Sequence, residues 1–272
     1  MKFFTILFTL ISLNYFLHSQ ELSDSLFVLG EKKSLFSKQL NENRKLNIYL
    51  PEGYNKNDSI KYPVIYLLDG SADEDFIHIC GIVQFLNYPW IASLEKSIVV
   101  GIENVDRKRD FTFPTTVAKD KIDFPTTASS SKFIAFIELE LQQFIKEKYK
   151  ITEHKTLIGQ SLGGLLASEI LAKKPLLFNR FIIISPSLWW DNESLFKEIE
   201  KIEKKDLNAN TEIYFAVGNE GKVMVNDVKK LNKILHSKEL NPFFEYFPKE
   251  NHATILHNAV YDAFLKFKDV KK

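Results

Sequence analysis

The sequence predicts an α/β fold: a mainly parallel central sheet with helices on both faces. Three observations predict it. Short, continuous apolar runs recur at strand length, stretches with helical spacing alternate with them, and the chain has 272 residues of which 45% are apolar. A chain of that size can bury one large core. Uninterrupted apolar runs suit strands covered on both faces, and their alternation with helices implies crossover connections.

The elements follow in order. Residues 45–50 alternate polar and apolar side chains until Pro51-Glu52-Gly53-Tyr54 breaks the pattern, which reads as a half-buried strand. The runs at 62–68, 97–102, 156–158, 181–184 and 213–217 read as buried parallel strands, and 243–247 as a further strand before the last helix. Helical spacing marks 76–86, 132–149, 162–173, 194–203, 223–240 and 253–267. Residues 106–131 are long, polar and weakly periodic, with Pro114 and Pro125, and are expected to cover the rim of a site.

The amino-terminal residues 1–19 place Lys2 before the apolar run Phe3 to Ile11 and end at His18-Ser19. That order reads as a secretory signal peptide, too short and too interrupted by Ser12 and Asn14 for a spanning helix. The expectation is an exported protein, periplasmic or secreted, with no stable membrane insertion after cleavage and a single domain over 20–272. Thirty-six basic against 35 acidic residues give no reason to expect a nucleic-acid partner. Cys80 is the single cysteine, which excludes an internal disulfide; its apolar neighbours predict a packing role. No His, Cys or carboxylate spacing suggests a zinc site.

Gly159-Gln160-Ser161-Leu162-Gly163 matches the nucleophile elbow G-x-S-x-G. The pentamer alone is weak, but it stands between a short apolar strand and a helical pattern, the strand–turn–helix order an elbow requires. Ser161 would then project from the carboxyl edge of the sheet. A serine hydroxyl needs a base, and in this fold the base comes late in the chain. His252, in the turn-like stretch before the last helix, is favoured over His257, which falls inside that helix. The carboxylate that orients the imidazole should lie between serine and histidine in the chain. Glu220 after strand 213–217 is the first choice, Asp227 the second and Asp191 the third. The N–H of Leu162 would supply one oxyanion donor.

Several segments together resemble the α/β-hydrolase esterase family that includes enterochelin (ferric siderophore) esterases, feruloyl and acetyl-xylan esterases, esterase D and mycolyltransferases. They are Tyr62 to Gly70, Val100-Gly101-Ile102, Asp106-Arg107-Lys108-Arg109-Asp110, Gly159 to Gly164, Ser185 to Trp190 and Glu250-Asn251-His252. The resemblance covers nearly all of the chain after residue 19, and Ser-Leu-Trp-Trp with Asp-Arg-x-Arg-Asp is most similar to the siderophore-esterase branch. It implies hydrolysis of a small-molecule ester without metal or cofactor, a triad at Ser161, Glu220 and His252, and oxyanion donors at Ser71 and Leu162. Where relatives often carry Gly-Gly-Ala ahead of the elbow, this chain has Ala128-Ser129-Ser130-Ser131.

Trp189 and Trp190 could wall an acyl pocket or pack the core, and Arg107 and Arg109 could grip a carboxylate or catecholate or serve structure. Two rivals share these residues: an acyltransferase, and a binding protein for siderophores or glycans that keeps the fold without turnover.

Overall fold

The computed structural model describes residues 26–269, so the expected signal peptide lies outside the described residues. Among the described residues there are eight strands: β1 (Glu31–Ser37), β2 (Glu42–Tyr49), β3 (Tyr62–Leu67), β4 (Ile98–Ile102), β5 (Ile151–Gln160), β6 (Arg180–Ile184), β7 (Glu212–Gly218) and β8 (Phe243–Phe247). They form one sheet in the order β1-β2-β4-β3-β5-β6-β7-β8. β2 runs antiparallel to both β1 and β4, and every pair from β4 to β8 is parallel.

Strand residues alternate between two apolar layers, as a two-residue side-chain period requires. Val64, Tyr66 and Leu68 pack with the helices Leu162–Lys173 and Gly221–Ser237 and with the 130–148 stretch. Ile65 and Leu67 face the helices Phe76–Asn87 and Ile255–Asp269 on the other side. Pro63 is tolerated in β3 because the register with β5 shifts between Tyr62 and Val64, where the missing N–H leaves no rung empty. Cys80 is buried in the second layer, as its neighbours predict, and burial pushes its thiol pKa up.

Three features differ from the sequence reading. β1 was not foreseen: its alternating exposure along Glu-Lys-Lys-Ser-Leu-Phe-Ser is that of an edge strand with little apolar signal. Its turn into β2 is fixed from a distance by Glu140, which accepts from Ser37 Oγ at 2.5 Å and Lys38 N at 2.9 Å. β5 begins five residues before the apolar run at 156–158 because its first half is polar and only partly covered. Residues 106–131 are not an open loop. They fold into the helices Arg107–Phe111 and Ala118–Asp123, and only Arg107 of this segment lines the cleft at the carboxyl edge of the sheet described below.

The strand order reverses direction about β3: the chain goes first to β4 on one side and then crosses to β5 on the other. Loops leaving the carboxyl ends there diverge and open a crevice, the usual ligand position in such sheets.

Candidate active site

Ser161 sits between the end of β5 and the helix Leu162–Lys173 with φ 60° and ψ −119°, left-handed backbone that a non-glycine residue seldom adopts. Strain of this kind persists only where neighbours over-determine it. Here Ser161 N donates to Ile184 O at 3.0 Å, while its carbonyl accepts from Leu165 N at 2.9 Å and Ser187 N at 3.0 Å. The bend also needs glycine at 159, since a Cβ there would stand 2.4 Å from the carbonyl oxygen of Gly163.

His252 follows β8 and reaches the same edge. Ser161 and His252 line one open cleft of about 390 Å³ with Asp69, Glu74, Asp75, Arg107 and Gln160. The Gln160 amide donates to the His252 carbonyl at 2.5 Å, tying the elbow to the histidine loop. On its far side the imidazole Nδ1 lies 2.5 Å from Glu220 Oε2. The other oxygen, Oε1, accepts from Ser185 Oγ at 2.5 Å and from Gly218 N at 2.9 Å. Burial works to raise the Glu220 pKa, but the bonds from His252, Ser185 and Gly218 outweigh it and hold the carboxyl below its ordinary range. An ionised carboxylate aimed at Nδ1 places the imidazole proton on Nδ1 and leaves Nε2 free to accept.

The other carboxylates considered stand elsewhere. Asp227 lies on the helix Gly221–Ser237, 4% exposed, with Oδ2 lacking a hydrogen-bond partner. Asp191 accepts from Thr116 N at 2.6 Å and from the Thr116 and Thr115 hydroxyls, holding two loops together. His257 pairs edge-on with His78, ring centroids 4.8 Å apart, on the outer helix face.

Leu162 is the first residue of its helix, where an N–H has no intrahelical acceptor. Ser71 follows Asp69-Gly70 on the loop after β3, and the Gly70 N–H is already given to Ile102 O at 3.0 Å. Gly70 is required there: a Cβ would lie 2.3 Å from Gly101 Cα. The Ser71 hydroxyl is turned to Asp73 Oδ1 at 2.5 Å.

Of the four residues expected to bind substrate, Trp189, Trp190 and Arg109 lie off the cleft and Arg107 lines it. Trp190 is fully buried, with Nε1 donating to Phe113 O at 3.0 Å, and Trp189 packs beside it against Phe124, so neither lines the cleft. Arg109 binds Glu42 and Asp110, whose side chains stand in the Arg44 network, and is turned from the cleft. Arg107 does line the cleft, but its Nε and Nη2 hold Asp69 at 2.6 and 2.9 Å, and Nη2 also reaches Gln160 O at 3.3 Å. Burial opposes the Arg107 charge, yet Asp69 more than offsets it and keeps the guanidinium pKa above its usual value. Arg107 therefore clamps the β3 loop to the elbow.

Sequence reasoning missed Ser185, Gln160 and Asp69. Ser185 and Asp69 carried a signal, each being the polar residue that ends a buried apolar run at the carboxyl edge, with φ of 43° and 55°. Among the described residues no group of three or more His, Cys, Asp or Glu is placed to hold a metal ion, and no helix is long and apolar enough to cross a membrane.

Comparison with known proteins agrees with this architecture. The family model described as "Putative esterase" matches residues 37–259. The ferri-bacillibactin esterase BesA of Bacillus subtilis is 29% identical over 258 residues, covering 86% of this chain and 88% of the relative. The solved structure of an IroE-like serine hydrolase from Shewanella oneidensis superposes with TM-score 0.79 at 30% identity, covering 88% of this chain and 80% of that one. The BES protein from Bacillus cereus also gives 0.79, at 27% identity over 91% of this chain and 97% of its own. A family match over most of the chain, on an α/β-hydrolase sheet with Ser161 at a left-handed turn after β5, places this protein in that esterase family, and it is an esterase.

Proposed function

We propose that the protein is a serine carboxylic-ester hydrolase that works through an acyl-enzyme on Ser161 and acts on siderophore-type esters. His252 takes the Ser161 proton as the hydroxyl attacks the ester carbonyl, and Glu220 holds the imidazole in the accepting tautomer and stabilises its charged form. The N–H groups of Leu162 and Ser71 face the developing oxyanion. The protonated His252 then gives its proton to the leaving alcohol, and a water activated by the same imidazole releases the acid and restores Ser161. The observation that carries this reading is the Glu220–His252 contact at 2.5 Å in a cleft that also holds Ser161.

The substrate class rests on the relatives named for siderophore esters and on the sequence segments shared with them. The setting we propose is outside the cytoplasm, on the strength of the leader-like run after Lys2. The test is a panel of short-chain acyl, feruloyl and catecholate-siderophore esters with the parent protein and Ser161→Ala. Hydrolysis by the parent that vanishes in the variant supports the proposal. Ligand binding without hydrolysis by the parent would replace it with the binding-protein reading, and product esters formed with added alcohols would replace it with acyl transfer.

A further inference from the structure

Glu220 orients His252, and Glu220 must itself be oriented. Its side chain is 3% exposed, so the carboxylate has to find its donors within the protein. Oε1 takes two of them, Ser185 Oγ at 2.5 Å and Gly218 N at 2.9 Å, which fixes the rotation of the carboxylate and leaves Oε2 for His252 Nδ1. An ionised carboxylate has no proton to give, so the Ser185 hydroxyl is the donor. Burial alone would raise the Glu220 pKa, and the Ser185 bond is among those that bring it below its ordinary range.

Ser185 is the first residue after β6, fully buried, with φ 43° and its N–H given to Ala216 O of β7 at 2.8 Å. Its neighbours hold the nucleophile: Ile184 O accepts from Ser161 N and Ser187 N donates to Ser161 O, each at 3.0 Å. The same turn packs on the elbow helix, where a Cβ at Gly164 would stand 2.9 Å from both Ile184 O and Pro186 Cα. Ser185 does not line the cleft with Ser161 and His252, so its hydroxyl acts on the reaction through Glu220. Resting on the esterase reading above, we infer that Ser185 is a positioning residue for ester hydrolysis: its hydroxyl keeps the Glu220 carboxylate turned toward His252, and residues 184–187 set nucleophile and acid in one frame. A hydrogen bond to a charged group changes a rate about ten- to a hundredfold when the transition state depends on that charge.

The experiment measures kcat and KM for p-nitrophenyl acetate in the parent, Ser185→Ala, Ser185→Gly, Glu220→Gln and the double variant Ser185→Ala/Glu220→Gln. Ser185→Ala should lower kcat about ten- to a hundredfold with KM nearly unchanged. Ser185→Gly removes the same hydroxyl but suits φ 43° better, so it should lose as much, and it gives the reading if alanine at this buried position folds poorly. Full kcat in the glycine variant would assign the alanine loss to the backbone and overturn the inference. In the double variant the alanine should add less than about threefold to the loss from Glu220→Gln, because both changes act on one carboxylate. Losses that multiply, or a Ser185→Ala variant with the parent's kcat, overturn the inference and leave the esterase intact. A parent that hydrolyses no ester would overturn the esterase reading and the inference with it.

Discussion

Glu220→Gln is the perturbation in which the structure fixes the outcome most tightly. In the parent, Oε1 accepts two hydrogen bonds, from Ser185 Oγ and Gly218 N, while Oε2 faces His252 Nδ1 at 2.5 Å. A glutamine has one acceptor and one donor end. If its oxygen takes the Oε1 position, the two donors stay satisfied and the NH₂ points at Nδ1. That forces Nδ1 to accept and puts the imidazole proton on Nε2, the nitrogen that in the proposed mechanism takes the proton from Ser161. The flipped amide sets NH₂ against the Gly218 N–H at about the same 2.9 Å, donor against donor, so it offers no escape. Loss of the correct tautomer in a serine triad costs about a thousand- to ten-thousandfold in kcat, or about 4–5.5 kcal/mol of transition-state stabilisation. Steady-state hydrolysis of p-nitrophenyl acetate measures it, with thermal melting to show that the fold persists. A variant within threefold of the parent would refute the assignment of Glu220 and the tautomer argument together.

Asp227→Asn should stabilise the protein at neutral pH. Burial, with the Glu193 charge adding to it, raises the Asp227 pKa from 3.8 to about 6, so the folded state holds this proton more tightly than the unfolded chain. Stability is therefore lost as pH rises from about 4 to about 6, and removing the carboxylate should recover on the order of 1–3 kcal/mol at pH 7, read from urea melts at pH 4 and pH 7. No gain at pH 7 would contradict it. Arg44→Met should cost about 3 kcal/mol, because fully buried Arg44 holds fully buried Asp110 at 2.7 Å and lies over the Phe133 ring at 5.1 Å; equal midpoints in denaturant would argue against that account. Gly159→Ala should abolish ester hydrolysis with less effect on secondary structure, since its Cβ would meet the Gly163 carbonyl oxygen at 2.4 Å and spread the elbow; normal kcat would show that the bend tolerates the side chain.

Much of this was legible in the sequence for a definite reason. Parallel strands buried on both faces leave continuous apolar runs, and β3, β4, β6 and β7 begin or end within a residue of theirs. The elbow was legible because its glycines answer to a close approach that no other residue permits. Glu220 and His252 were expected together from chain order and from their places after β7 and β8, and the structure brings them to 2.5 Å. What escaped depends on contacts distant in sequence. β1 is an exposed edge strand whose turn is held by Glu140, more than 100 residues away. The arginines after Asp106 gave a charge pattern but not its partners: Asp69 is 38 positions from Arg107, and Glu42 is 67 from Arg109. Trp189 and Trp190 stand beside Ser187, which bonds to the Ser161 carbonyl, so nearness in the chain suggested a pocket wall where packing had placed one ring in the core.

The central claim is that one hydroxyl, that of Ser161, forms the covalent intermediate. Its most direct test is labelling with diisopropyl fluorophosphate followed by peptide mapping and mass measurement. The account predicts one phosphoryl adduct per chain, on Ser161, with esterase activity lost in step with labelling and no adduct in Ser161→Ala. Full ester hydrolysis by unlabelled protein after exhaustive treatment, or an adduct on a different residue, would contradict it.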